Sequence, residues 1–425
     1  MTPDHYHLSC PVCGLTYRDT YQSGCPSGCT SLLRAEYTQK QITIRNLPGV
    51  FRFSDWLPVR GSLQTRAAPV SYQSSGLAKE LGLSNLRISF SGYWPEKGAY
   101  VTSGSFKEFE ALPTTVRLRE RASGVILVAS AGNTGRAFAE VSAETGQPVI
   151  VVVPKKAVSR IRTSRRADHL LLIAVDGDYT DAITLGNGLS SIPGVFPEGG
   201  AKNVARRDGM GTVMVESVLT SGRMPDWYVQ AVGSGTGGIS AWEAGLRLVN
   251  DGRFGSSLPH LLLIQNHPFT PMVNAWNAGR REIIGDLDMQ NPVESIGKVF
   301  SDVLTNRAPP YGISGGVYDA LSGTGGSMLT ASTPDAQAAF DLFLDLEGID
   351  PDPAAAVAVA GLIHAVESEL IPVDDSILLA ITGGGYERIA RDISPVENKP
   401  LIMVQAGTDP ADIADQVRAW VNRYV

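Results

Sequence analysis

No apolar run in this 425-residue chain approaches the roughly 20 residues needed to span a bilayer; the longest candidate, residues 354–366, is Ala-rich and reads as a buried helix. The opening residues, MTPDHYHLSC, hold no basic segment followed by an apolar stretch, so a secretory signal is not expected and the cytoplasm is the expected compartment. Cysteine is absent after residue 29, which excludes a disulfide framework spread over the fold. A basic surplus is missing as well: 36 Lys+Arg stand against 43 Asp+Glu, a formal charge of −7. That balance argues against a general nucleic-acid binder. Collagen-like and linker-like glycine periodicity is lacking too.

What is present is an ordinary globular balance, 43% hydrophobic and 19% charged, over a length that suits two large domains or three of about 150 residues. Many of the 45 glycines cluster in short runs rather than spreading evenly. Such runs turn backbone toward a ligand, which favours an enzyme.

All four cysteines, Cys10, Cys13, Cys25 and Cys29, fall in CPVC and CPSGC near the start. Two close pairs separated by a short loop suit tetrahedral Zn²⁺ better than disulfides in an intracellular protein. Gly14 and Gly28 permit the turns that aim the thiols at one ion, and His7 is a competing ligand. Residues 1–40 therefore read as a separate Cys-rich, knuckle-like unit carrying a structural zinc, with disulfides or vestigial cysteines as the other readings.

From about Leu86 onward, short Val/Ile/Leu runs alternate with helical patterns. Strands are expected at residues 126–130, 148–153, 170–175, 227–232, 261–265 and 377–382, with a basic helix after the second. Continuous apolar strands are buried on both faces, so the fold class is α/β: two open, twisted, mostly parallel sheets flanked by helices. The expected division is a first α/β domain at 86–224 and a second formed by 41–85 with 225–425. Residues 300–332, rich in Gly, Ser and Pro, read as an active-site loop or a mobile connection.

Ligands of such sheets sit beyond the carboxyl ends of the strands. Three turns lie there. SAGNTG contains Ser130, Ala131, Gly132, Asn133 and Thr134 and runs from a strand straight into a helix, a geometry that offers free N–H groups to an anion. Asn and Ser there could equally be plain helix caps. GSGTGG comprises Gly233, Ser234, Gly235, Thr236, Gly237 and Gly238, again between strand and helix, and suits a monophosphate. It lacks the Lys of a Walker loop and the glycine spacing and acidic residue of a dinucleotide site. SGTGG recurs at 322–326 without a preceding strand. ITGGG places the neutral hydroxyl of Thr382 at a strand end. A fourth segment, SGSFKEF, sets Lys107 between aromatics at the start of a helix, where loss of water would make its amine a nucleophile and base.

The ordered set SFK, SAGNTG, GSGTGG and TGGG resembles the fold-type-II pyridoxal-phosphate enzymes, of which the tryptophan synthase β chain is one, over roughly residues 86–391. The resemblance implies pyridoxal 5′-phosphate held covalently by Lys107, its ring oxygen bonded by Asn133, its phosphate in the loop from Gly233 to Gly238, and its ring nitrogen facing Thr382. It implies that Ser130, Ala131, Gly132 and Thr134 bind substrate, and that the protein is a homo-oligomer acting on small molecules without nucleic acid or membrane. TGGG and the cysteine unit point to the threonine synthase branch, and within it to members of methanogens that make L-cysteate from O-phospho-L-serine and sulfite for coenzyme M. One departure stands out: SFK is followed by Glu108, Phe109 and Glu110, where threonine synthases read SFKDRG. That change counts against threonine synthesis itself. The rivals are threonine synthase, a phosphoserine-dependent cysteine synthase, and a zinc-ribbon binding protein without catalysis. Two anionic substrates need cations, and the run 155–166 and the cluster of Lys202, Arg206 and Arg207 are candidates for them, or else solvated surface.

Overall fold

Strands made almost wholly of Val, Ile, Leu and Ala organise the molecule, because such strands shed water only when both faces are covered. The computed structural model describes residues 5–130 and 132–425. Five parallel strands form one sheet in the order Val195–Pro197, Val125–Ala129, Val149–Pro154, Leu170–Asp176, Ile402–Gln405. A second sheet has six, in the order Ser327–Ala331, His260–Asn266, Trp227–Ala231, Ser376–Ile381, Asn85–Phe90, Val70–Gln73, all parallel except the last. Every residue of Val149–Pro154 and Ser376–Ile381 is buried.

Side-chain alternation shares these strands between layers. In Ser376–Ile381, Leu378 and Ala380 face a central core while Ile377, Leu379 and Ile381 face an outer one. The helices Lys107–Arg121, Val204–Ser221 and Thr236–Asp251 lie in the central layer between the sheets. Outside the six-stranded sheet lies the Ala-rich helix Pro353–Glu367, N-capped by Asp352, whose side chain accepts from the Ala354 N–H at 2.8 Å. A Cβ on its Gly361 would stand 2.1 Å from Ile264 Cγ1, so the helix reaches the sheet only as glycine there. Within Lys107–Arg121, Pro113 cannot donate to the Phe109 carbonyl. Gly209 faces that carbonyl, where a Cβ would come within 1.9 Å, and two helices are thereby brought into close contact.

Three expectations are corrected. The sheets do not divide at residues 86 and 225: Asn85–Phe90 belongs to the six-stranded sheet and Ile402–Gln405 returns to the five-stranded one. The basic helix is instead a 3-10 turn, Lys155–Arg160, and a short strand, Arg162–Thr163, paired with Val396–Glu397. Burial of Ile161 and Thr163 around exposed Arg162 is strand alternation. Nor is the N-terminal unit separate. Its antiparallel sheet of Thr16–Tyr17, Tyr6–Ser9 and Arg34–Tyr37 packs Leu8, and the segment leading into Arg34–Tyr37 packs Leu32 and Leu33, into the same core as Phe109 and Met214. Among the described residues no helix is long and apolar enough to cross a membrane.

Candidate active site

Lys107 is the first residue of its helix, and its approach is fixed by the six-stranded sheet. The Phe106 N–H donates to the Thr382 carbonyl at 2.9 Å, Gly384 N–H to the Gly104 carbonyl at 3.0 Å, and Ser105 forms a bridge with Gly383. This close approach accounts for the glycine run after Thr382: a Cβ on Gly383 would lie 2.4 Å from the Gly104 carbonyl oxygen, and one on Gly385 2.0 Å from that of Tyr93. Two of the sequence motifs, SFK and TGGG, are thus stitched together through backbone.

The lysine side chain is 16% exposed. Its Nζ lies 3.4 Å from Glu110 Oε2, 3.6 Å from Met210 Sδ and 4.6 Å from the centre of the Phe106 ring. Burial lowers its pKa from the ordinary lysine value; Glu110 opposes and nearby Arg206 assists. The positive end of the helix dipole also favours the neutral amine. The unusual residues after SFK have separate tasks. Glu108 turns back to accept from the Ser103 N–H at 2.9 Å, and burial, with repulsion from Glu144 and Glu140, pushes its carboxyl well above the usual range. Phe109 enters the core. Glu110 bridges Lys107 to Arg206, whose Nε is 3.1 Å from its carboxylate.

Asn133 opens the helix Asn133–Thr145. Its Nδ2 donates to Asp352 Oδ2 at 3.2 Å, and its Oδ1 accepts from Arg136 at 2.9 Å. Arg136 also donates to the Tyr386 hydroxyl at 2.6 Å, and that hydroxyl donates to Asp352. The Asp352 N–H meets the Gly383 carbonyl at 2.9 Å. The asparagine loop is therefore tied to the turn after Thr382. Asp352, Arg136 and Tyr386 were not singled out by sequence; they lie far apart along the chain, and only the GGG spacing hinted at a crowded backbone there.

The glycine loop stands at the start of the 16-residue helix Thr236–Asp251. Gly235 has φ +77°, and a Cβ there would lie 2.3 Å from Val317 Cγ2. No side chain caps this helix at Gly235, so the N–H groups of Gly237 and Gly238 have no partner within it. Ser234 and Thr236 hydroxyls are 2.8 Å apart. The loop joins the rest of the site in two ways. Val204–Ser221 carries Met210 against Lys107 and sets Gly211 where a Cβ would be 3.1 Å from the Ser240 carbonyl oxygen. The turn Asp302–Leu304 lies between the loops, with Val303 against Gly132 and Leu304 against Gly233. Residues 300–332 are thus built structure that includes the helix Val317–Thr324 and the strand Ser327–Ala331. The second SGTGG ends that helix and precedes its parallel strand, at the opposite edge of the sheet from Gly233.

Ser130, Gly132 and Thr134 flank Asn133 at the same helix start, with Gly132 N–H donating to Ser130 Oγ at 3.4 Å; Ala131 lies outside the described residues. Thr382 is 8% exposed at its strand end. The proposed anion-binding cations fall into two groups. Lys155, Arg160, Arg162 and Arg166 make exposed ion pairs with Asp176, Asp302, Glu397 and Asp168. Arg206 is paired with Glu198 and Glu110, and Arg207 is fully buried against Glu243. Arg207 is structural. The four cysteines come together, with all Sγ atoms within 4.8 Å of one another, whereas His7 is exposed on its strand and outside the cluster.

A shielded amine, an uncapped 16-residue helix start with closely packed glycines, and a neutral hydroxyl at a strand end fit a phosphorylated carbonyl cofactor. A family model described as pyridoxal-phosphate dependent enzyme matches residues 98–383. The chain is 59% identical over 419 residues to the cysteate synthase of Methanospirillum hungatei, covering 99% of both chains. It is 56% identical to that of Methanoculleus marisnigri, covering 98% of this chain and 97% of the relative. Among solved structures, an L-serine ammonia-lyase from the fungus Rhizomucor miehei superposes with TM-score 0.59 at 17% identity, over 78% of this chain and all of that one. Maize serine racemase does so with TM-score 0.56 at 15% identity, over 75% and 89%. These likenesses establish a fold-type-II architecture. The chain belongs to the pyridoxal-phosphate-dependent enzymes and, within them, to the cysteate synthase family.

Proposed function

We propose that this enzyme makes L-cysteate by β-replacement, expelling phosphate from O-phospho-L-serine and adding sulfite at the same carbon. Bound pyridoxal phosphate supplies the electron sink that lets the Cα–H bond break. The chain supplies the rest. Lys107, whose pKa burial lowers from the ordinary lysine value, would hold the cofactor, and its amine would take the Cα proton and later return it. The N–H groups of the loop from Gly233 to Gly238 hold the cofactor phosphate at the helix start. Asn133 bonds the ring oxygen, and Asp352 with Arg136 orients its amide. Ser130, Ala131, Gly132 and Thr134 offer polar groups to the substrate carboxylate. Thr382, with no charge, leaves the ring nitrogen without a carboxylate partner, which favours loss of the β substituent over transamination. The observation that carries this reading is the 2.9 Å hydrogen bond from Phe106 to Thr382, which sets the lysine beside that neutral strand end.

The substrates separate this reading from its neighbours. Incubation with phosphoserine plus sulfite should release phosphate and cysteate in equal amounts, while phosphoserine plus sulfide or phosphohomoserine should give little product. Threonine from phosphohomoserine, or cysteine as the dominant product, would overturn it. The same reading makes the protein a cytoplasmic homo-oligomer acting on small molecules.

Gly235→Ala tests the phosphate loop. A side chain at φ +77° costs about 1–2 kcal/mol in backbone conformation alone, and the new Cβ must also push into Val317. The variant should remain folded and bind pyridoxal phosphate at least about tenfold more weakly in a fluorescence titration, since 1.4 kcal/mol is a factor of ten. Unchanged affinity would contradict this role.

A further inference from the structure

We propose that Cys10, Cys13, Cys25 and Cys29 bind one structural Zn²⁺, and that the metal loop braces the helix bearing Lys107 through the Asp19–Arg117 pair. The inference does not depend on which substrate the enzyme uses.

The sulfur geometry favours a shared ion. All four Sγ atoms lie within 4.8 Å of one another, and Cys13 and Cys25 are 3.9 Å apart. A disulfide would bring two sulfurs to about 2.05 Å, whereas thiolates at about 2.3 Å from one zinc are spaced much as these are. The turns are built for it: Gly14 at φ +70° donates to the Cys10 carbonyl, and Gly28 at φ +81° to that of Cys25. Hydroxyls surround the sulfurs in the way that outer groups orient metal ligands. Tyr17 Oη is 3.3 Å from Cys25 Sγ, and Ser31 Oγ is 3.2 Å from Cys10 Sγ. Four thiolates close the coordination shell, so this zinc has no position for substrate.

The loop between the two cysteine pairs presents Asp19. Its carboxylate receives Nε and Nη2 of Arg117, both at 2.7 Å, and the Tyr6 hydroxyl at 2.6 Å. Arg117 lies on the helix that begins with Lys107 and also donates to the Gln22 carbonyl of the same loop and to Asn203, the N-cap of Val204–Ser221. Further on in the unit, Tyr37 donates to Asp208 of that second helix at 2.6 Å, and Arg34 pairs with Glu243 of Thr236–Asp251 at 3.5 Å. The cysteine unit thus touches the helix that begins with Lys107, the helix that follows the glycine loop, and Val204–Ser221, which packs against both.

Elemental analysis of the full-length enzyme, purified with its cofactor and without chelator, tests the metal directly. About one zinc per chain is expected, with Co²⁺ exchange giving the charge-transfer and d–d bands of tetrahedral thiolate coordination. Two disulfides by mass spectrometry, four free thiols without metal, or iron in place of zinc would overturn the site. Hydrogen–deuterium exchange tests the brace without any cysteine variant. Chelation of the wild-type enzyme should raise exchange at least tenfold in Lys107–Arg121 while leaving Ile402–Gln405 unchanged. Unaltered protection of that helix after zinc loss would refute the coupling.

Discussion

Lys107→Ala is expected to lower cysteate formation by at least about 1,000-fold while leaving the protein folded. The first half follows from its two tasks, since a positioned general base alone contributes about 10²–10⁴-fold and the covalent hold on the cofactor goes with it. The second half follows from the surroundings. The amine makes one ion pair, with Glu110, at 3.4 Å, and burial already works against its charge. After truncation Glu110 keeps Arg206 at 3.1 Å, so the unfolding midpoint should move little. Steady-state rates and thermal unfolding of the purified variant check both halves together. A near-normal rate would remove Lys107 from the chemistry.

Asp19→Ala should be the most destabilising single change at the interface of the cysteine unit. Asp19 and Arg117 are 1% and 2% exposed, and deleting one partner of such a pair leaves an unmatched buried charge, a loss of about 3–5 kcal/mol. The sign of a second experiment is sharper. Replacing both partners, as Asp19→Ala with Arg117→Met, removes the stranded guanidinium and should recover part of the loss, since apolar substitutes for buried pairs are often neutral. A double variant less stable than Asp19→Ala would contradict the argument. Acid should mimic the single change. Burial alone would raise the Asp19 pKa, but Arg117 outweighs it and holds the carboxyl below its ordinary value. The pair's contribution is therefore complete above the unfolded carboxylate pKa of about 3.9 and is lost as pH falls through the lower folded value. Urea unfolding at neutral pH and below about pH 4 measures this.

Much of the architecture could be read from residue order because it is locally written. A strand such as Val149–Pro154 announces itself by composition, and a glycine turn between a strand and a helix, as at Gly235, announces a helix start. Sheet membership is not local. Asn85–Phe90 and Ile402–Gln405 look like their neighbours and differ only in which partners they find across the molecule. Val70–Gln73, the one antiparallel strand of its sheet, is short and half-polar and gave no signal. The site divides in the same way. Lys107, Asn133 and Thr382 fall in motifs with recognisable order. Their supports, Glu110 with Arg206 and Asp352 with Tyr386, are contacts between distant segments. The cysteine spacing suggested one cluster, which the fold assembles. Its docking on the lysine helix rests on Asp19 and Arg117, 98 residues apart, and no pattern in either segment points to the other. The family assignment also removes the non-catalytic zinc-ribbon reading.

Borohydride reduction of the cofactor-loaded enzyme, followed by peptide mass mapping, tests the central claim most directly. The account predicts that the visible absorption band bleaches and that a pyridoxyl group appears on Lys107 and on no other lysine. A label fixed on a different lysine, or a band that bleaches with Lys107 unmodified, would contradict it.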